Sequence, residues 1–393
     1  MKNGLIYSIT HAFFIAFLLQ GCTMRMYSEI TSPEKSSDSV DALVAEIVKP
    51  LCEGGINSRI PYPSAAVGIV TPTGESFFSF VSDKYPGIAL PIPNTIFEIG
   101  SVSKVITSLL FATEIVRGAV SVDTPAQKVL NDFHIPSWNG DDITLLHLST
   151  HTSGLPRVPN NLNSSDPMNP YANYDVEQLK AFLTNYKLKG SPGSNWDYSN
   201  TGAGLLGYAL TRTAGVESYH QLLQQRIAAP LGLVDTGVNL SEEQLKRLAP
   251  AYFNGEPTSW WDLNVLVGLG GIRSTVKDMT LFLKAELNIS TNDIGSAISL
   301  TQRVGRKPQS ATDGHTMGLG WIVNETPQGN IFWHNGATFG AQSFVAINPQ
   351  NGIGVVLLTN GMFTDKSGAV DNRTDVAGMS LLKKLMSLTS RNL

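Results

Sequence analysis

The chain has 393 residues, of which 42% are hydrophobic and 15% are charged. This length and composition allow a large hydrophobic core, built as two domains or as one domain with a long insertion. The formal net charge is −4 and no long basic run occurs, so nothing in the charge pattern supports nucleic-acid binding. The zinc signature His-Glu-x-x-His is absent and the seven histidines lack metal-ligand spacing. We therefore expect neither a metal nor another cofactor.

Residues 1–21 have the pattern of an export signal. Lys2 precedes an apolar stretch, Leu5 to Leu19, that is too short and too interrupted to predict a membrane-spanning helix. The next residues, ending in Gly21-Cys22, resemble a bacterial lipobox, in which the cysteine is acylated and becomes the first residue of the mature chain. The resemblance implies a periplasmic protein with a lipid anchor at Cys22. Thr23 in the next position favours the outer membrane of a Gram-negative cell. An ordinary cleaved secretory signal is the alternative.

Three parts follow the signal. Residues 22–40 are polar and predict a tether between lipid and domain. Residues 41–121 and 301–393 contain strand-like runs and are expected to form an α/β domain, with an antiparallel sheet flanked by helices. Residues 122–300 have helical periodicity and many loops, which predicts a mainly α-helical inserted domain. The catalytic domain as a whole is expected over about 41–390, with a site in the cleft between its parts.

The predicted elements come in two groups, one near each end of the chain. The N-terminal group has one helix and three strands, at Asp41–Leu51, Ala65–Val70, Ser76–Val81 and Ile96–Ile99. The C-terminal group has four strands and a closing helix, at Gly318–Asn324, Asn330–Trp333, Ala341–Ile347, Ile353–Leu358 and Asp375–Leu388. Short Gly, Pro and Asn turns between consecutive strands indicate an antiparallel meander.

Ser101-Val102-Ser103-Lys104 opens a predicted amphipathic helix. A serine and a lysine three residues apart lie on one helical face. A helix N-terminus favours developing negative charge, and a poorly solvated lysine can accept the serine proton. The alternative is a helix-capping serine beside a solvated lysine. The same spacing in Ser32-Pro33-Glu34-Lys35 is interpreted as chance, because no amphipathic helix follows it.

Tyr198-Ser199-Asn200 precedes a helix of small residues that can pack closely at the wall of a cleft. A tyrosine, with an ordinary pKa of about 10, becomes a usable general base where a nearby ammonium favours its phenolate. Asn200 is a candidate to hold Lys104 or a substrate amide. Tyr171 and Tyr252 begin similar triplets, but their polar surroundings predict surface turns.

His334-Asn335-Gly336 is expected at the end of a strand, followed by Ala337. A strand edge beside a nucleophile can offer a backbone N–H to an oxyanion. A histidine with an ordinary pKa of about 6.5 is largely neutral at pH 7, so we expect protonation of His334 to strengthen the binding of a substrate carboxylate. The alternatives are a surface histidine at this position, or Lys366 as the true third element.

Taken in order, Ser-x-x-Lys, Tyr-x-Asn and His-x-Gly resemble the motifs of the penicillin-recognising serine hydrolases. The middle motif has a tyrosine, and in this it resembles the middle motif of class C β-lactamases and their relatives, which include D-Ala-D-Ala carboxypeptidases and family VIII carboxylesterases. The similarity extends over about residues 60–360 and includes three further stretches, Leu145–Leu155, Pro230–Leu233 and Gly270–Ser274.

The resemblance implies a β-lactamase/transpeptidase-like fold and assigns a role to each motif residue. It implies Ser101 as nucleophile, Lys104 and Tyr198 as proton-transfer partners and Asn200 as a positioning residue. It also implies substrate binding at His334 and Gly336, with an oxyanion hole formed by the backbone N–H groups of Ser101 and Ala337. Many β-lactamases of this type have lysine at the His334 position, whereas some D,D-peptidases have histidine.

The predicted function is hydrolysis, through an acyl-enzyme, of an amide next to a D-amino acid, in a peptidoglycan peptide or a β-lactam ring. One alternative is a carboxylesterase acting on small acyl esters. Another is a penicillin-binding sensor or scaffold that is acylated without turnover. Trp260 and Trp261 are candidates either to line the pocket or to pack in the core. The sequence leaves the leaving group and the oligomeric state open.

Overall fold

The computed structural model describes residues 23–26, 37–54, 60–303, 316–365 and 368–389. The strands are β1 (Thr23–Met26), β2 (Ser64–Thr71), β3 (Gly74–Val81), β4 (Ile96–Glu98), β5 (Ser137–Trp138), β6 (Asp141–Asp142), β7 (Ala251–Phe253), β8 (Glu256–Thr258), β9 (Arg273–Thr275), β10 (Thr316–Met317), β11 (Ile322–Asn324), β12 (Ile331–Ala337), β13 (Gln342–Asn348) and β14 (Ile353–Thr359).

The helices are α1 (Ser37–Glu53), α2 (Ser103–Val116), α3 (Ala126–Val129), α4 (Leu145–Ser149), α5 (Val176–Asn185), α6 (Asn200–Ala214), α7 (Tyr219–Leu223), α8 (Ala229–Leu231), α9 (Glu242–Leu245), α10 (Val276–Leu287), α11 (Asp293–Thr301) and α12 (Arg373–Thr389). Short 3-10 turns lie at Gly100–Val102, Asn264–Leu269 and Pro349–Asn351, and a π-helical turn at Gln224–Ala228.

The central sheet has eight strands in the order β1-β3-β2-β14-β13-β12-β11-β10, and every neighbouring pair is antiparallel. The pairing of β2 with β14 joins the N-terminal strands to the C-terminal meander, with Gly68 opposite Val356. Both ends of the chain therefore contribute to one sheet, and the predicted fold class is confirmed.

Side chains alternate between the two faces of this sheet, and each face has its own core. On one face Phe80, Phe344 and Leu357 pack with α1 and α12. On the other face Val345 and Val356 join the larger core that includes α2, α6 and α10. His334 pairs with Val345 across β12 and β13, so the histidine lies on the same face as α2.

Helix α10 lies directly against the sheet, at its glycines. A Cβ atom on Gly68 of β2 would lie 2.2 Å from Thr280 Oγ1, and one on Gly354 of β14 would lie 3.3 Å from Leu283 Cβ. This packing differs from the predicted division, which placed all of 122–300 in the helical domain. The hydrophobic periodicity of α10 shows a helix but not which layer its apolar face covers.

The predicted tether also differs from the structure. Thr23–Met26 forms an edge strand paired with β3, and α1 begins at Ser37. Polar composition alone does not exclude an edge strand, because one face and one edge of such a strand remain in water. Cys22 lies outside the described residues. No helix in the described part of the chain is both long and apolar enough to cross a membrane.

Strand β12 is longer than predicted. It continues from Ile331 to Ala337, so the His334-Asn335-Gly336 triplet lies within the strand and not after it. The strand predicted at Gly318–Asn324 is shorter in the structure, where only Ile322–Asn324 pairs with β12. The closing helix is confirmed within Arg373–Thr389.

Candidate active site

The turn that carries Ser101 is pressed against β12 at two glycines. Gly100 has a φ of 48°, and a Cβ atom there would lie 2.7 Å from the Ala337 nitrogen. A Cβ atom on Gly336 would lie 2.2 Å from the Ile99 oxygen and 2.9 Å from the Ser101 nitrogen. Any other residue at either position would separate the turn from the strand. These glycines therefore place the Ser101 backbone beside the end of β12.

The backbone N–H of Ala337 faces this turn. Thr338 donates from its backbone nitrogen to the Ala341 oxygen at 3.0 Å where β12 turns into β13. Hydrogen bonding alternates along an antiparallel pair, so the preceding residue, Ala337, directs its N–H away from β13. The nitrogens of Ser101 and Ala337 thus border the same small space.

Lys104 lies one helical turn after Ser101 and is 2% exposed. Its Nζ atom is 2.8 Å from Ser101 Oγ and donates to the Leu269 oxygen at 2.6 Å. Burial, and next the positive charge of Arg157, lower the pKa of Lys104 well below its ordinary value. A neutral amine can accept a proton from the serine hydroxyl, so the pair has the geometry and the electrostatics of a base beside a nucleophile.

The ring of Tyr198 lies over this pair. Its centroid is 5.0 Å from Lys104 Nζ. Burial raises the pKa of Tyr198 to about 12, although a hydrogen bond with the Ser101 hydroxyl and the charge of Arg157 oppose the rise. The expected stabilisation of the phenolate is therefore wrong, because burial outweighs the neighbouring cation. A phenol that stays protonated at neutral pH can donate a proton or pass it on.

Asn200 begins α6, directly after the Ser199 side chain caps that helix by accepting from the Gly202 nitrogen at 2.8 Å. The Asn200 Oδ1 atom is buried and accepts no hydrogen bond from the described residues. A buried carbonyl oxygen is costly to leave unsatisfied. This oxygen is therefore available to an N–H donor that enters the site.

His334 is 1% exposed and faces the site from β12, with its ring 6.2 Å from that of Tyr198. Burial, together with the charge of Lys104, lowers the pKa of His334 to about 3. The interpretation as a surface histidine, and the expected titration near pH 6.5, are therefore wrong. The sequence predicts a strand here, but it does not show that distant segments bury this part of the strand.

The hydrogen bonding of His334 fixes which ring nitrogen carries the proton. Nδ1 lies 2.6 Å from the Asn335 backbone oxygen, which can only accept, so the proton is on Nδ1. In a neutral ring Nε2 is then an acceptor. Nε2 is buried and has no partner among the described residues. His334 thus presents an acceptor and not a donor.

Several residues near the motifs were not singled out from the sequence. His151 has a φ of 58° and its ring lies 4.4 Å from that of Tyr198, while its Nδ1 accepts from the Ser199 nitrogen at 3.2 Å. The Arg157 guanidinium carbon lies 5.0 Å from the Tyr198 ring centroid. Both belong to the loop after α4, whose path no periodic pattern predicts.

Glu98 ties together three segments around the site. Its carboxylate accepts from the Thr338 hydroxyl at 2.7 Å, from the Trp261 nitrogen at 2.7 Å and from Arg273 Nη2 at 3.3 Å. Burial raises the pKa of Glu98, and the Arg273 charge and the hydrogen bonds oppose this rise. Glu98 therefore links the segment after Ala337 to the Trp261 loop.

The remaining candidates are divided between the site and the surface. Tyr171 is 3% exposed and packs 5.6 Å from Trp261, so its predicted surface turn is wrong. Trp260 is 40% exposed, with Nε1 donating to the Ala249 oxygen at 3.0 Å. Tyr252 lies in β7 and contacts the ring of Tyr85. The Ser32 and Lys366 candidates lie outside the described residues.

Comparisons with known proteins show which sequences and folds this chain resembles. The chain is 29% identical over 366 residues to the D-alanyl-D-alanine-carboxypeptidase/endopeptidase AmpH of Escherichia coli strain K12, covering 88% of this chain and 90% of that protein. It is 28% identical to a β-lactamase of the same strain, covering 85% and 91%. A solved structure of β-lactamase/D-alanine carboxypeptidase from Yersinia pestis has the same fold, with a TM-score of 0.74, 23% identity and coverage of 89% and 99%.

The sequence model of the Beta-lactamase family matches residues 44–378, which is most of the chain. The match includes the Ser101 turn, Tyr198 and the whole of β12. No group of three or more metal-binding side chains occurs among the described residues. The chain belongs to the β-lactamase family, and it is a serine hydrolase of the β-lactamase/D,D-peptidase type.

Proposed function

We propose that this protein hydrolyses an amide next to a D-amino acid, in a D-Ala-D-Ala peptide of peptidoglycan or in a β-lactam ring, through an acyl-enzyme at Ser101. The observation that carries the proposal is the 2.8 Å contact between Ser101 Oγ and a buried lysine whose pKa is lowered well below its ordinary value. The two Escherichia coli relatives bear the names of these two activities, which supports the substrate class.

In the first half-reaction the neutral Lys104 amine accepts the proton of Ser101 as Oγ attacks the carbonyl carbon. The negative charge that develops on the carbonyl oxygen is stabilised by the backbone N–H groups of Ser101 and Ala337. The Tyr198 phenol then donates its proton to the leaving nitrogen and is reprotonated from Lys104. The C–N bond breaks and an ester to Ser101 remains, while the amine departs from a peptide substrate or stays attached to the acyl group of an opened β-lactam ring.

In the second half-reaction a water molecule attacks this ester. Lys104 and Tyr198 take the water proton and return one to Ser101 Oγ, which leaves as the hydroxyl. The free acid is released and the enzyme regains its starting protonation state. The buried Oδ1 of Asn200 accepts from an amide N–H of the bound substrate. Gly336 supports substrate binding by letting the Ser101 turn lie close to the end of β12, next to the Ala337 nitrogen.

A carboxylesterase acting on small acyl esters is the second candidate. The observation that favours it is the neutral His334, which gives no full charge to a substrate carboxylate at this position. Ester cleavage uses the same nucleophile and the same acyl-enzyme. The two functions therefore differ in substrate binding and in the leaving group.

We further propose that the protein is exported to the periplasm and anchored to the outer membrane through a lipid on Cys22. The proposal rests on the N-terminal pattern of Lys2, the apolar stretch and Gly21-Cys22. Metabolic labelling with a fatty acid, in wild type and Cys22→Ser, tests it. Equal labelling of the two proteins would contradict the anchor.

The enzymatic proposal is tested with purified protein and three substrates: a D-Ala-D-Ala peptide, a chromogenic cephalosporin and a short-chain ester. We expect steady hydrolysis of the first two and an acyl adduct that mass spectrometry maps to Ser101. Ser101→Ala should lower turnover by about 10⁴-fold or more, because the covalent route is lost. Ser32→Ala, which alters the other Ser-x-x-Lys sequence, is the control and should remain active.

Three other outcomes would contradict this proposal. Hydrolysis of the ester alone would favour the carboxylesterase. One equivalent of product followed by no turnover would indicate a penicillin-binding sensor. An adduct on any other residue would overturn the assignment of Ser101.

A further inference from the structure

Arg157 is an exposed residue whose guanidinium group lies against the active site. Its Cζ atom is 5.0 Å from the centroid of the Tyr198 ring, the same distance as Lys104 Nζ. Its positive charge lowers the pKa of Lys104 and opposes the rise in the pKa of Tyr198. Its backbone oxygen also accepts from the Asn200 nitrogen at 3.0 Å, which attaches this loop to the start of α6.

The Arg157 side chain has no carboxylate partner among the described residues. The other arginines near the core of the fold do have one, in the pairs Arg226–Glu114, Arg247–Asp235, Arg273–Glu98 and Arg373–Asp371. A guanidinium group offers five N–H donors in a planar fork that matches a carboxylate. Stacking on a tyrosine ring holds that fork at the site while leaving its edge available.

His334, on β12, does not supply a cation for a substrate carboxylate. His334 is neutral, and its inward nitrogen, Nε2, is an acceptor because Nδ1 donates to the Asn335 oxygen. An acceptor nitrogen repels a carboxylate oxygen. Lys104 is the second cation candidate, but its Nζ atom is occupied by Ser101 and the Leu269 oxygen. Arg157 therefore supplies a permanent positive charge beside Tyr198, one that acts on both Lys104 and Tyr198.

We propose that Arg157 binds a carboxylate of the substrate and makes the enzyme selective for anionic acyl donors. The proposal rests on the acyl-enzyme function above and deepens it. It replaces His334, the residue for which the sequence predicted this role, with a residue from the loop after α4. The carboxylate has two possible sources, the C-terminal residue that leaves and an acidic side chain on the acyl side.

The test compares matched substrates that differ only in charge. One pair is an acyl-D-Ala-D-Ala peptide and its C-terminal amide. The second pair carries glutamate or glutamine on the acyl side of the cleaved bond. For each pair the ratio of kcat/KM for the anionic substrate to that for the neutral substrate is measured in wild type, Arg157→Ala and Arg157→Lys.

We expect wild type to prefer the anionic member of one pair, and Arg157→Ala to lower that ratio about 10-fold, the size of a charge-assisted hydrogen bond that is partly exposed. Arg157→Lys should retain part of the preference, because it keeps the charge but not the fork. Added salt should reduce the wild-type ratio and leave that of Arg157→Ala nearly unchanged. The pair that responds identifies the source of the carboxylate.

The ratio separates substrate binding from a structural role. If Arg157 only supports Tyr198 or shifts the pKa of Lys104, its loss slows both members of each pair equally and leaves the ratio unchanged. That result would overturn the proposal. Arg212→Ala is the control, since this exposed arginine pairs with Asp132 away from the site and its loss should leave both ratios as in wild type. If wild type forms no adduct at Ser101, the underlying function fails instead.

Discussion

The Nζ atom of Lys104 lies 2.8 Å from the hydroxyl oxygen of Ser101. The lysine is 2% exposed, and its second contact is a backbone oxygen that cannot neutralise an ammonium. Desolvation therefore favours the uncharged amine, which is the form that can take the serine proton. In the proposed mechanism, the protonation state of Lys104 is therefore the first determinant of activity.

We expect kcat/KM to rise with pH through the lowered pKa of Lys104, so that the ascending limb lies well below the ordinary lysine pKa of about 10.4. Lys104→Arg introduces a guanidinium group that cannot lose its proton at these pH values, and should lower kcat/KM by about 10² to 10⁴. The measurement is a pH–rate profile of both proteins, with thermal unfolding to show that the variant is folded. A variant with the wild-type profile would exclude Lys104 as the base.

Tyr198→Phe removes the phenol and keeps the ring that packs against His151. Because that phenol is the proposed proton donor to the leaving group, we expect a rate loss of about 10² to 10⁴. The loss should be larger for a poor leaving group, an amine, than for an activated ester. Tyr252→Phe is the matched control and should remain close to wild type. Equal effects on both classes of leaving group would argue against proton donation.

His334 should leave substrate binding independent of pH across the range in which histidines usually titrate. With a pKa of about 3 it stays neutral, so KM for a carboxylate substrate should be flat from about pH 5.5 to 8.5 as far as this group is concerned. This is the opposite of the expectation from the sequence. A KM that rises with pH in wild type but not in His334→Gln would show that the ring is protonated in the folded enzyme.

The lowered pKa of His334 also makes the stability of the folded protein sensitive to acid. Its folded pKa is below that of the unfolded chain, about 6.5, so the unfolded state binds the extra proton as the pH falls. Its contribution to stability is thus complete above about pH 6.5 and is lost as the pH falls toward 3. Between pH 7 and pH 5 the loss should be about 2 kcal/mol, and His334→Gln should reduce the pH dependence of the free energy of unfolding by this amount.

Glu98→Ala should lower the free energy of unfolding by about 3 to 5 kcal/mol, because it leaves the partly buried Arg273 charge and the Trp261 N–H without their acceptor. Glu98→Gln keeps the hydrogen-bond acceptor and should cost less. Glu243→Ala, which removes an exposed partner of Lys246, is the control and should change stability by less than about 1 kcal/mol. Denaturant titrations of the three variants measure this, and equal costs for Glu98→Ala and Glu243→Ala would contradict the role of Glu98.

The local patterns of the sequence were enough for the sheet, the closing helix and the order of the motifs. Alternating and helical periodicities arise from which side chains a strand or helix buries, and they are written in neighbouring residues. Ser101 and Lys104 are one helical turn apart, so their proximity also follows from local geometry. The sequence left open whether the lysine is solvated, and the 2.8 Å contact forms where Lys104 is buried and its Nζ also donates to the distant Leu269 oxygen.

The tertiary structure decided the protonation states of the site residues and which loops lie beside them. His334, Lys104 and Tyr198 have their altered pKa values because distant segments bury them, and burial is a sum over the whole fold. Arg157 is adjacent to Tyr198 only because the loop after α4 packs against the start of α6. The sequence determined which chemical groups the protein has, and the long-range packing determined which of them carry a charge and where they meet.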